Sequence, residues 1–271
     1  MSAKTKGNNE KNISKSFLTG AAADERTVKN GLKFLGTMIL VVFIAFIACA
    51  SAAFENIILR LLINCAVIIL SLIIFYNNGT KCGTEDVTRG EILWQKQEKG
   101  QSFSASERKM CFHPIKGYLI GLIGTVLFLI PAVILALNTS VQTTDSGTLP
   151  SWMQAYVKRS DIGNALINYT QQSGMSFIDY IRAIVRATIL PFVNITGSTN
   201  KSGLVILERL SPLILLLPPA AYGTGYLTGK NIRKQIHNVI SENDKKRIRK
   251  EQKKRNARLR QSQNREPEKL N

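Results

Sequence analysis

The sequence predicts an all-α integral membrane fold with about four transmembrane helices, one external interfacial amphipathic helix and a basic cytoplasmic tail. Three observations lead there. The apolar residues of the 271-residue chain are gathered into a few long blocks, and four of these reach or approach the roughly 20 residues that a helix needs to cross the hydrocarbon core. Charge is as unevenly spread, with 36 Lys plus Arg against 18 Asp plus Glu and the largest excess at the C-terminus. Finally, 19 Gly, 8 Pro and 4 Cys are too few for a collagen-like, disordered or disulfide-stapled chain.

Residues 1–33 form a basic N-terminal segment, and 34–76 read as a transmembrane hairpin. Within it Phe34–Phe54 carries no charge and Ile57–Tyr76 carries only Arg60. Residues 77–116 are a connecting loop. The third span, 117–137, is uncharged, and the fourth, 204–229, joins the apolar block Ser211–Leu227 to the stretch before it. Lipid offers exposed backbone amides no partner, so these spans must be helices.

Between spans three and four lies an external segment, 138–203, whose block 177–195 has a different pattern. Asp179, Arg182 and Arg186 fall on one helical stripe, while Ile178, Ile181, Val185 and Ile189 collect on the opposite face. That pattern predicts a helix lying in the membrane interface. Pro191 interrupts its hydrogen-bond ladder. Three sequons, at Asn138, Asn168 and Asn194, fit the glycosylation pattern and matter only in a secretory pathway.

Charge asymmetry sets the threading. Residues 1–33 hold 7 basic and 3 acidic side chains, 77–116 hold 7 and 5, 138–203 hold 5 and 3, and the tail 230–271 holds 15 and 5. Cytoplasmic segments are enriched in Lys and Arg, and the first, second and last of these hold 29 of the 36. Both termini are therefore expected inside, which requires an even number of crossings. The expected location is a bacterial plasma membrane. A cleavable signal peptide is disfavoured, because 33 residues precede the first apolar block. Ile47-Ala48-Cys49 and Ala50-Ser51-Ala52 look like processing sites only in passing, since small residues are common inside membrane helices.

No catalytic or nucleotide-binding constellation is present, and the expectation is a protein that is not an enzyme and holds no cofactor and no metal. His113 and His237 are the only histidines and neither belongs to an H-E-x-x-H motif. G-x-S-x-G, the P-loop and G-x-G-x-x-G are missing. Cys82 with Cys111-Phe112-His113 lacks the paired C-x-x-C spacing of structural zinc sites. Cys49 and Cys65 lie in spans.

Three groups of residues remain as candidates. Arg60, Glu208 and Arg209 are charged residues at the membrane edge, where charge is costly and often marks a pathway; Arg60 and Glu208 are expected to pair. Gly117, Gly121 and Gly124 in span three, with Ala221, Gly225 and Gly229 in span four, form small-residue stripes that let helix backbones approach. Lys245, Lys246, Arg247, Arg249, Lys250, Lys253, Lys254 and Arg255 make the tail a juxtamembrane basic cluster attracted to anionic lipid headgroups. RNA is a poorer partner, because 230–271 contain no Phe, Tyr or Trp to stack on bases. These features fit a non-enzymatic accessory or assembly factor with a membrane-protein partner. The alternative is a small transporter or channel subunit using Arg60, Glu208 and Arg209.

Overall fold

A computed structural model describes residues 16–50, 57–139, 152–163, 166, 176–197 and 200–263. The described chain is helical between short connections. Its elements are α1 (Glu25–Ala50), α2 (Ile57–Glu98), α3 (Ala105–Lys109), α4 (Lys116–Asn138), a 3-10 turn (Gln154–Lys158), α5 (Phe177–Thr188), α6 (Leu190–Thr196), α7 (Lys201–Leu215) and α8 (Leu217–Gln263). Four stretches are long and apolar enough to cross a membrane: α1, α2, α4, and α7 together with α8.

Two helices are far longer than a bilayer requires. The 42 residues of α2 and the 47 of α8 extend about 63 and 70 Å at 1.5 Å per residue, roughly twice the hydrocarbon core. The segment expected as a loop from residue 77 therefore continues as helix to Glu98. No proline interrupts it, and Glu85 and Arg89 sit one turn apart on its surface, a spacing that supports helix.

The fourth span departs from the expected single helix. It breaks at Leu216, where Leu216 N donates to Leu213 O at 3.1 Å in a three-residue turn. Pro218 and Pro219 explain the break, since neither has an N–H to continue the ladder. Pro212 deprives the Glu208 carbonyl of its partner in the same way, and the Ser211 hydroxyl donates to that carbonyl at 2.7 Å. The 177–195 block divides at Ile189, and Pro191 occupies the first turn of α6, where its missing N–H costs nothing.

Helix pairing follows the small residues. The most extensive contact is between α2 and α8, which run parallel: Gly225 meets Tyr76, Gly79 meets Tyr222, Gly83 meets Tyr226 and Gly229 meets Thr84. A second parallel pair, α1 and α4, closes through Gly31 on Ile123 and Gly124 on Phe34. The helices α4 and α8 cross antiparallel, with Gly117 on Tyr226 and Gly121 on Pro219. The shared core is aromatic. Phe34 packs on Phe75 and Tyr222 with centroids 4.8 and 5.4 Å apart, and Phe112 stacks on Tyr226 at 5.1 Å.

This pairing brings residues 16–33, the 77–116 segment and the start of the tail to one end of the bundle, and Thr139 and α5 to the other. Around the middle, Leu40, Phe43, Ile47, Leu70, Leu127 and Ile130 are each more than half exposed. So broad an apolar belt is rare on a protein surface facing water and natural on one facing lipid.

Candidate functional site: ion clusters at the two ends of the bundle

The end that carries the N-terminal segment is tied by a fully buried lysine. Asp24 starts α1 by accepting from Thr27 N at 2.7 Å and from the Thr27 hydroxyl at 2.6 Å. Its other oxygen faces Lys116 Nζ at 3.0 Å. Lys116 reaches Asp86 at 3.3 Å and donates to the Met110 carbonyl at 3.2 Å. Asp86 also accepts from the Tyr226 hydroxyl at 2.8 Å, and Arg26 Nη1 stands 3.4 Å from its second oxygen. Asp24, just before α1, thus meets one residue each from α1, α2, α4 and α8 at a point. Burial pushes the Asp24 carboxyl up, but its contacts with Thr27 and Lys116 outweigh that and hold it below the usual carboxylate range.

One turn further along α2 a second cluster fastens the tail. Glu91 accepts from Arg233 Nε at 2.9 Å and lies 2.8 Å from His237 Nε2. The N-terminal segment docks alongside, with Leu18 N donating to Gly90 O at 3.1 Å and Gly20 N to Phe112 O at 3.0 Å.

At the opposite end Glu208 is 1% exposed. One of its oxygens accepts from Arg186 Nε at 2.8 Å and lies 3.1 Å from Arg182 Nε; the other accepts from the Thr139 hydroxyl. Arg182 also holds Asp179 at 2.6 Å. Two acids and two arginines leave this knot electrically neutral. The expected partner Arg60 is not in it. Arg60 stands near Gly197, because α5 folds against α4 and α7 and delivers its own two arginines to Glu208 first. Arg209 points outward and is exposed. Both stripes of α5 face inward: Arg182 is buried together with Ile181, Val185 and Ile189, leaving Phe177, Tyr180 and Ile184 on the outer side.

The six small residues of spans three and four all lie at helix contacts. Gly117, Gly121, Gly124, Gly225 and Gly229 leave no room for a side chain, and Ala221 packs on the core partly buried. Gly79 and Gly83 complete the α2 side; their four-residue spacing was available in the sequence but lay beyond the apolar block. The basic residues of the tail, Lys245, Lys246, Arg247, Arg249, Lys250, Lys253, Lys254 and Arg255, are helical and exposed, and Arg247 lies 3.8 Å from Glu251 one turn on.

Cys82 accepts from Asn30 Nδ2 at 3.2 Å and Cys111 donates to the Glu107 carbonyl at 3.7 Å. Among the described residues no group of three or more His, Cys, Asp or Glu side chains is arranged to hold a metal ion. The sequons differ in setting: Asn138 donates to Ile134 O at 2.8 Å at the end of α4, Asn194 lies in α6, and Asn168 lies outside the described residues.

Four stretches long and apolar enough to cross a membrane are compatible with a multi-pass membrane protein. Comparisons with family models, curated proteins and solved structures find no match to this chain.

Proposed function

We propose that the protein is a non-enzymatic accessory or assembly factor of a bacterial plasma membrane, with both termini cytoplasmic and a tail that contacts anionic lipid. The carrying observation is α8. It leaves the bundle as an uninterrupted helix whose residues from Glu242 to Leu259 are all exposed. A bare helix bearing eight basic side chains within Lys245–Arg255 has its surface free for something outside the chain. Each Lys or Arg near an anionic leaflet is worth about 1 kcal/mol. Ile236, Val239 and Ile240, exposed beside the membrane end of this helix, offer apolar surface to a membrane-protein partner.

The placement of α5 supports an external helix at the interface, its Phe177, Tyr180 and Ile184 turned toward lipid and its arginines spent on Glu208. This also weighs against the transporter alternative. Glu208 has its oxygens committed and neither Arg60 nor Arg209 joins it, so the three residues do not form a shared polar path.

Vesicle binding tests the tail. A peptide of residues 230–271 should bind vesicles containing phosphatidylglycerol, ignore phosphatidylcholine, and let go as salt rises toward 1 M, where the Debye length is about 3 Å. Scrambling 245–260 at constant composition should leave binding nearly intact. Equal binding to neutral vesicles, or selectivity for one RNA sequence at physiological salt, would contradict the proposal.

A further inference from the structure

The helices α1 and α2 are joined in sequence yet touch little, because α1 packs on α4 and α2 packs on α8. Their divergence leaves a cleft floored by Phe34 and Tyr222, with a cavity of about 640 Å³ at the end that carries the tail. Five basic residues line it, Arg26, Lys29, Lys33, Lys81 and Arg89, against one acid, Glu85. Arg26 answers Glu85 at 2.5 Å. Lys29, Lys33, Lys81 and Arg89 make no ion pair among the described residues. Arg26, Lys29 and Lys33 repeat at i, i+3 and i+7, so α1 turns one basic stripe into the cleft.

Further toward the middle of the bundle Val41, Val42, Ile68, Leu72 and Phe75 of the same two helices line one side of an apolar cavity of about 80 Å³, which α6, α7 and the start of α8 close on the other side. Phe34, on the floor of the first cavity, packs against Phe75, which lines the second. From Lys33 to Met38 along α1, and from Lys81 to Phe75 along α2, the change from basic to apolar takes about 7.5 and 9 Å at 1.5 Å per residue. That depth matches the roughly 5–8 Å separating headgroups from hydrocarbon in one leaflet. A soluble anion would use the basic part alone; an amphiphile uses both.

We infer that the α1–α2 cleft holds one anionic phospholipid, its phosphate among Lys29, Lys33 and Lys81 and its acyl chain along Val41, Val42 and Leu72. The ligand relieves the mutual repulsion of the unpaired cations and covers the apolar wall between the helices. The inference rests on the membrane-embedded reading above and is independent of the tail.

Native mass spectrometry of the full-length protein, released from phosphatidylcholine nanodiscs and titrated with phosphatidylglycerol, tests it. One phosphatidylglycerol per chain should be retained. The combined change Lys29→Gln, Lys33→Gln and Lys81→Gln, all at exposed positions, should weaken retention about a hundredfold. Lys245→Gln, Lys246→Gln, Arg247→Gln and Arg249→Gln together should leave it unchanged. Thr37→Trp, which puts a bulky side chain into the lining of the basic cavity, should abolish retention and leave the melting temperature in phosphatidylcholine unchanged. Inorganic phosphate should not displace the lipid at equal concentration. Displacement by phosphate would show a free-anion site, and equal retention of phosphatidylcholine would show an apolar groove without charge selection; either overturns the inference. Loss in the tail variant with retention in the cleft variant would overturn it and leave the tail proposal standing.

Discussion

Lys116 shows how a charge is tolerated where no solvent reaches it. Its ammonium is surrounded by Asp24, Asp86 and two backbone carbonyls, so desolvation is offset by paired charge and donated hydrogen bonds. Lys116→Met leaves both aspartates facing a gap and should cost about 3–5 kcal/mol, read as a lowered melting temperature in detergent. Asp24 adds a pH dependence. Its carboxyl ionises more readily when folded than the roughly 3.9 of an unfolded aspartate, so it stabilises fully above that value and the contribution is lost as pH falls through the folded pKa. The melting difference between the wild type and Asp24→Asn should be constant near neutrality and shrink below about pH 4. A difference that grew on acidification would contradict the assigned ionic partner. Glu208→Gln strands Arg182 and Arg186 at the far end, and should lower the melting temperature without changing the charge dependence of lipid binding.

Between elements, backbone proximity governs. A Cβ on Gly225 would run into the Tyr76 carbonyl, and one on Gly229 would come within 2.5 Å of Thr84 N. Gly225→Leu must therefore push α8 off α2, and should reduce assembled yield and thermal stability together; unchanged yield would mean that the parallel pairing is wrong. The α2–α8 contact also explains what the sequence did and did not make legible. The apolar blocks located the crossing parts of the helices, and Gly117, Gly121 and Gly225 were visible as small-residue stripes. Past Tyr76 the hydropathy signal ends, yet α2 stays helical because Gly83, Asp86 and Glu91 pack on Tyr226, Arg233 and His237, partners about 140 residues away. No local pattern announces such a contact. The Asp24–Lys116 pair, separated by 92 residues, was hidden for the same reason. Along 177–195 the sequence sets the charged and the apolar stripe on opposite faces, and periodicity alone does not reveal that Glu208 draws Arg182 inward beside Val185.

At the scale of the molecule, parallel α1–α4 and α2–α8 pairs fix which segments share an end. The N-terminal segment, the 77–116 segment and the base of the tail converge on the Lys116 and Glu91 clusters, the same three segments in which basic residues concentrate. On the proposed reading the positive-inside bias puts that end in the cytoplasm, and the central proposal is a four-crossing protein with both termini inside. Impermeant thiol labelling of intact cells tests it most directly, in a background where Cys49, Cys65, Cys82 and Cys111 are replaced by Ser. A cysteine at Ser146 should react from outside and one at Ser262 should react only after the membrane is opened. Labelling of the Ser262 position in intact cells with protection of the Ser146 position would contradict the account.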